Sequence, residues 1–159
     1  MNRKIRVAIT IVPSQIWQGG FNYQLNLCKA INTYFNDRVI MVACFEKDAS
    51  EQDKQSFMEM SAIEIIESSA FSRSISVLTF LSIYLLGIDR KASRVFKERK
   101  IDIIFESAKY FGRAIPFPTI AWIPDLQHKY LPGNFSFFSR VKREIGFLSQ
   151  MKNKRVLLV

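Results

Sequence analysis

The chain reads as a three-layer α/β domain, a mostly parallel β-sheet with helices on both faces. Three observations predict it. Short runs rich in β-branched residues alternate with longer stretches of helical periodicity almost throughout, and parallel neighbours need crossover connections, which are normally helices. The run "RVIMVACF", residues 38–45, is hydrophobic without a break after Arg38; a strand covered on one face alternates, whereas one covered on both does not have to. Finally, 159 residues suffice for one core and are too few for two ordinary domains.

The elements follow in order. "RKIRVAITIV" (3–12) is a first strand, ended by Pro13, and the loop "PSQIWQGG" (13–20) leads to a helix over 21–35. Its apolar stripe is Phe21, Leu25, Cys28 and Ile31, reinforced by Leu27 and Phe35. After the second strand (38–45), the polar stretch "EKDASEQDKQ" is a loop, with a short helix as an option at its end, and "AIEIIE" (62–67) is a brief third strand. The apolar run Ile75 to Ile88, "ISVLTFLSIYLLGI", predicts a buried helix. It falls short of the roughly 20 residues that span a bilayer, and a segment lying in a membrane interface is the alternative. "DRKASRVFKERK" (89–100) is amphipathic with Ala92, Val95 and Phe96 inward. "IDIIFES" (101–107) and "PTIAWIPD" (118–125) are strands; a helix from about Ser136 to Met151 packs Val141, Ile145 and Leu148 on the sheet, and "RVLLV" is a last strand. A domain that stops on a strand reads as a piece of a larger protein.

Hydrophobic residues make up 48% and charged residues 23%, the balance of a globular chain and not of a disordered one. The net charge of +9 is unevenly placed: residues 1–89 carry 8 Lys and Arg against 9 Asp and Glu, residues 90–159 carry 15 against 5. A basic half suits an anionic partner, whether phosphate or an acidic membrane face, or is simply a solvated surface. No nucleic-acid-binding module appears, so nucleic acid is not expected as a partner. Cys28 and Cys44 read as buried free thiols of a reducing compartment, no spacing resembles a metal site, and "MNRKIRVAITIVPSQ" lacks the form of a secretory signal. A cytoplasmic protein, with an option of peripheral attachment to the inner face of the membrane, is the expectation.

In open α/β sheets ligands bind beyond the carboxyl ends of the strands. Three polar clusters are expected there: "SQIWQGG", "ESAKYFG" and "PDLQHKY". Gly19 and Gly20, just ahead of a helix, let a ligand approach backbone N–H groups and the positive helix end, or serve a simple turn. The full dinucleotide fingerprint is absent. Asp125 and His128 sit at a spacing that places both over one cleft, where the carboxylate could orient the imidazole for acid–base work; alternatively Asp125 caps a turn and His128 binds a backbone carbonyl, with Tyr130, Pro132 and Gly133 as turn residues.

"WQGGFNYQLNLCKAI" and "IAWIPDLQHKYLPGNFSFFSRVKRE" resemble segments of a known family. The first is similar to the glycine-pair loop and first helix of the retaining GT-B glycosyltransferases of family 4, the glycosyl transferases group 1. The second resembles the "WIPDFQH…LPEFFS" segment of one branch. The resemblance runs in order along nearly the whole chain. It implies the amino-terminal, acceptor-binding domain of a two-domain enzyme built from facing Rossmann-like halves, in which the missing half binds most of a nucleotide-sugar donor. It implies a polysaccharide or lipid-linked acceptor, no metal and no separate cofactor, and an isolated domain that does not turn over. Under it, Asp125 and His128 would orient the acceptor or handle its proton, while Gly19 and Gly20 would approach donor phosphate or acceptor. Pro124 stands where many relatives have a histidine, so the usual acid–base assignment has no counterpart there, and Gly133 replaces a common Glu. The competing reading is a non-catalytic α/β module that binds a partner subunit or an acidic membrane through its basic half.

Overall fold

A computed structural model describes residues 3–72, 76–107, 109–123, 127–151 and 155–158. Strands β1 (Ile5–Thr10), β2 (Val39–Phe45), β3 (Ile63–Glu67), β4 (Ile103–Glu106) and β5 (Thr119–Ile123) form the body of one sheet in the order β3-β2-β1-β4-β5, and β6 (Arg155–Leu158) pairs outside β5. Every pairing is parallel, so the expected "mostly parallel" sheet is wholly so among these strands. The order makes the fold Rossmann-like, with β1 in the middle where the chain's direction of travel across the sheet reverses.

The helices are α1 (Gln18–Tyr34), α2 (Glu51–Met58), α3 (Val77–Leu85), α4 (Arg90–Glu98), α5 (Gln127–Tyr130) and α6 (Phe137–Met151). Because successive residues of a strand face opposite sides, each strand feeds two cores. Ile9, Met41, Ala43 and Phe105 pack with Phe21 and Cys28 of α1 and Phe57 of α2. Ala8, Val42, Cys44 and Ile104 pack on the other face with Ala92 and Phe96 of α4. Val95 closes onto that second core, as the pattern of 89–100 requires. The sheet therefore stands between the two cysteines. Both are free, and burial pushes the Cys28 thiol up to about 12 and raises that of Cys44 further.

At the amino ends of the strands, Arg6 holds Glu64 through two parallel bonds of 2.6 and 2.7 Å, and its Nε donates to the Arg99 carbonyl at 2.9 Å. Asp102 accepts from the Arg6 N–H at 2.8 Å and pairs with Arg3 at 2.6 Å. These contacts tie β3, β1 and the start of β4 together. Between α4 and β4, Lys100 takes the left-handed φ of 53° that ends the helix, and the Ile101 N–H closes back on the Phe96 carbonyl at 2.9 Å.

The short helix offered at the end of the polar stretch after β2 is present from Glu51, with Asp53, Lys54 and Phe57 inward. Other expectations are corrected. Phe35 lies half exposed at the end of α1 instead of in its stripe. Val141 and Leu148 of α6 are exposed, so they do not pack on the sheet. The largest departure is α3. Only Ile83 of its apolar residues is buried among those described, while Leu78 is 80% and Leu85 69% exposed. The buried-helix expectation fails because α3 rests on the domain through Thr79, Ser82 and Ile83 and turns its leucines outward.

Candidate functional site

The carboxyl ends of the strands form a built edge. At the reversal point, the Ser107 hydroxyl donates to the Thr10 carbonyl at 2.6 Å, joining the ends of β1 and β4. The chain leaving β1 is then clamped twice. Gln24, fully buried in α1, accepts from the Val12 N–H at 2.8 Å and donates to the Thr10 carbonyl at 2.8 Å. Asp53 of α2 accepts from both the N–H and the hydroxyl of Ser14, at 3.0 and 2.6 Å. Buried backbone groups need such partners, and here they turn the loop after β1 into a fixed wall. Against that wall lies a groove of about 290 Å³, lined by Pro13, Gln15 and Ile16 on one side and by Glu46, Asp48 and Asp53 on the other. Its carboxylates favour a ligand rich in hydroxyl or ammonium donors over a phosphate.

The glycine pair lies in the first turn of α1, not ahead of the helix as expected. Trp17 precedes that turn in extended conformation, and its carbonyl takes the first helical bond, from Phe21 N–H at 3.1 Å. A Cβ on Gly20 would lie 2.3 Å from Trp17 Cε3, and one on Gly19 would lie 3.2 Å from Trp17 Nε1. The missing side chains thus make room for the Trp17 indole. That indole stacks on Trp122 of β5, with centroids 5.7 Å apart and planes 12° apart, and Tyr23 of α1 stacks on the same ring at 4.9 Å. The three rings join the start of α1 to the end of β5. Trp122 is 2% exposed, and its Nε1 has no hydrogen-bond partner among the described residues.

The acid and base of "ESAKYFG" hold the loop after β4. Fully buried Glu106 accepts from the Phe111 N–H at 3.0 Å. Lys109 reaches Asp89 at 2.9 Å and donates to the Ala70 carbonyl at 2.6 Å. Asp89 itself caps α4 by accepting from the Ala92 N–H at 3.0 Å. Gly112, with φ 102°, lets this loop touch the preceding segment, since a Cβ there would meet the Gly87 carbonyl oxygen at 2.2 Å. These charged groups are occupied in structural bonds.

Of the expected acid–histidine pair, Asp125 lies outside the described residues. His128 is described only as a backbone position in α5, which follows the end of β5. The structure thus brings the Gly19–Gly20 turn to the end of β5. Residues 132–134 form a single 3-10 turn, in keeping with the expected role of Pro132 and Gly133, and Tyr130 is exposed. Sequence reasoning missed Trp17, Trp122 and Gln24 as the residues that build this edge. A signal for two of them existed: the chain's only tryptophans fall one in each of the two motif segments. Among the described residues no group of three or more His, Cys, Asp or Glu is placed to hold a metal ion, and no helix is long and apolar enough to cross a membrane.

No protein-family model, curated protein or solved structure matches the chain.

Proposed function

We propose that this chain is the acceptor-binding half of a retaining GT-B glycosyltransferase that moves a sugar from a nucleotide-sugar to a polysaccharide or lipid-linked acceptor. The observation that carries the reading is the Trp17–Trp122 stack. It joins the two segments whose sequences resemble that family, at the edge where a Rossmann-like sheet takes its ligands. The acidic groove beside the first loop adds support, because its carboxylates can accept from sugar hydroxyls.

In this reading the N–H groups of Gly19 and Gly20, which have no helical partner in a first turn, face the donor phosphate across the interdomain cleft. Asp125 and His128 orient the acceptor hydroxyl and manage its proton. A second domain supplies most of the nucleotide contacts, so proximity of the two substrates needs both walls and the 159-residue chain alone does not catalyse transfer.

The test is a titration of the 15N-labelled chain with oligosaccharide and short-chain polyprenyl-diphosphate sugar acceptors, followed by amide shifts. Shifts clustered at Gly19, Gly20 and His128, weakened in His128→Ala, are expected. Saturating acceptor panels that move no amide at the carboxyl edge would overturn the reading. Reading the coding region beyond Val159 separates it from the rival. A following nucleotide-sugar domain supports the transferase, and a stop codon favours a two-subunit enzyme or the non-catalytic module, to which the exposed face of α3 also lends itself.

A further inference from the structure

Helix α3 is built inside out. On a helical wheel its exposed residues Leu78, Phe80, Leu81, Tyr84 and Leu85 fill one continuous arc, and Leu86 follows at the carboxyl end, also exposed. The polar residues Thr79 and Ser82 lie on the opposite, domain-facing side with buried Ile83. Both polar groups are bonded locally: the Ser82 hydroxyl donates to the Ile88 carbonyl at 2.7 Å, and the Thr79 hydroxyl lies 3.0 Å from that of Ser76. A water-facing helix has the reverse pattern, and a contiguous apolar face of this kind marks a surface that meets something other than water.

The neighbour of that face chooses the occupant. Helix α4 turns Ala92 and Phe96 inward and presents Arg90, Lys91, Arg94 and Lys97 outward. None of these four cations has an ion-pair partner among the described residues. The two surfaces are continuous, because a groove of about 370 Å³ is walled by Leu81 and Leu85 of α3, by Leu86 just beyond it and by Arg90 and Lys91 of α4, with Thr79, Ser82 and Asp89 also in its lining. Aromatic rings border the apolar arc, with Phe80, Tyr84 and Tyr110 in succession at 4.5 and 6.1 Å. Apolar side chains, two tyrosines and an unpaired basic rim match the three layers of an acidic lipid surface: acyl chains, interface and anionic headgroups. A protein groove with acidic rims would match the charge but not the absence of any hydrogen-bonding side chain along the arc other than tyrosine.

We propose that α3 and the outer face of α4 dock this protein on an anionic bilayer, with α3 lying in the plane of the interface and its leucines inserted. At nine residues α3 is an interfacial element, not a spanning one. The inference does not rest on the transferase reading. Vesicle binding can fail while the acceptor titration succeeds, and the reverse.

The test is cosedimentation of the 159-residue chain with vesicles of phosphatidylglycerol and phosphatidylcholine, and with vesicles of phosphatidylcholine alone. Binding to the anionic vesicles that weakens as salt rises is expected, with much weaker binding to the neutral ones. Leu78→Ser with Leu85→Ser is expected to lower partitioning at least about tenfold. Lys91→Glu with Arg94→Glu leaves α3 untouched and is expected to lower it about fivefold per charge removed. Far-UV circular dichroism identifies any variant that fails to fold, and the charge variants then carry the test alone. Three results overturn the proposal: no partition of the wild-type chain to anionic vesicles, full binding by a folded variant of either pair, or self-association in sedimentation velocity that the leucine pair abolishes while vesicle binding is absent. The last result would assign the face to a second copy of the chain.

Discussion

A methyl group at residue 20 is the smallest change that reports on the candidate site. Alanine at Gly20 would place a Cβ inside the Trp17 ring, so the indole must leave Trp122. Two effects on stability oppose each other. Alanine gains about 0.5–1 kcal/mol over glycine in a helix, and a lost aromatic stack costs about 0.5–1.5 kcal/mol. Gly20→Ala is therefore expected to shift the thermal midpoint little but to red-shift intrinsic fluorescence, because Trp17 is already 39% exposed and its departure uncovers Trp122, which is 2% exposed, to water. The chain's only tryptophans are the two in the stack, so the signal has no other source; an unchanged spectrum would contradict the geometry. Glu64 gives a second readout. Its hydrogen bonds from Arg6 hold the carboxyl below its ordinary value, as the bond from Arg3 does for Asp102. Depressed acids stabilise the fold above the ordinary carboxylate range and stop doing so as pH falls through the lowered values. Glu64→Gln is expected to cost about 0.5–1 kcal/mol at neutral pH, a small figure because water screens a side chain that is 44% exposed. It should also flatten the decline of urea-unfolding free energy below about pH 5. At this scale the buried thiols were legible, since both lie in apolar runs. The work of Gln24 was not, because a glutamine that bonds two backbone groups of a distant strand end looks in sequence like any polar helix residue.

At the scale of elements, α4 and α3 form a contrasting pair. The pattern of 89–100 named its own buried side, and Phe96 is fully buried against Phe71, Phe111 and Phe117, with centroids 5.6, 5.1 and 5.8 Å away. Phe96→Ala is expected to destabilise the chain by about 3–5 kcal/mol, measured by urea denaturation, since it removes a full ring from a closed cluster. Helix α3 offered no such pattern. Its polar side is only Thr79 and Ser82, with no charged residue to mark a face for water, so its sequence says that the helix avoids water without saying where it goes. The start of α1 was misjudged for another reason. Trp17 is not a capping residue type and makes no side-chain cap bond, so nothing marked the helix as beginning before the glycines. In α6 the apolar positions Val141 and Leu148 recur at helical spacing yet are exposed; periodicity locates a face and leaves open what covers it.

On the scale of the molecule, all six strands were legible within a few residues, because β-branched runs bounded by turn residues and helical stretches leave few other assignments. The order of the strands was not, since a parallel sheet is specified by which helices cover which face, and that is settled by packing across the whole chain. The placement of charge follows from the same assembly: the residues after 89 carry most of the excess cations, and α4 displays several of them beside the apolar face of α3. The central position of β1 has a temporal consequence during synthesis. Its first neighbour is β2, from residue 39, but its second is β4, where Val7 pairs with Ile103. Until residue 103 has left the ribosome, the middle strand keeps one unsatisfied edge. Such an edge is a template for wrong pairing, and the nascent chain must be shielded there by a chaperone or by haste.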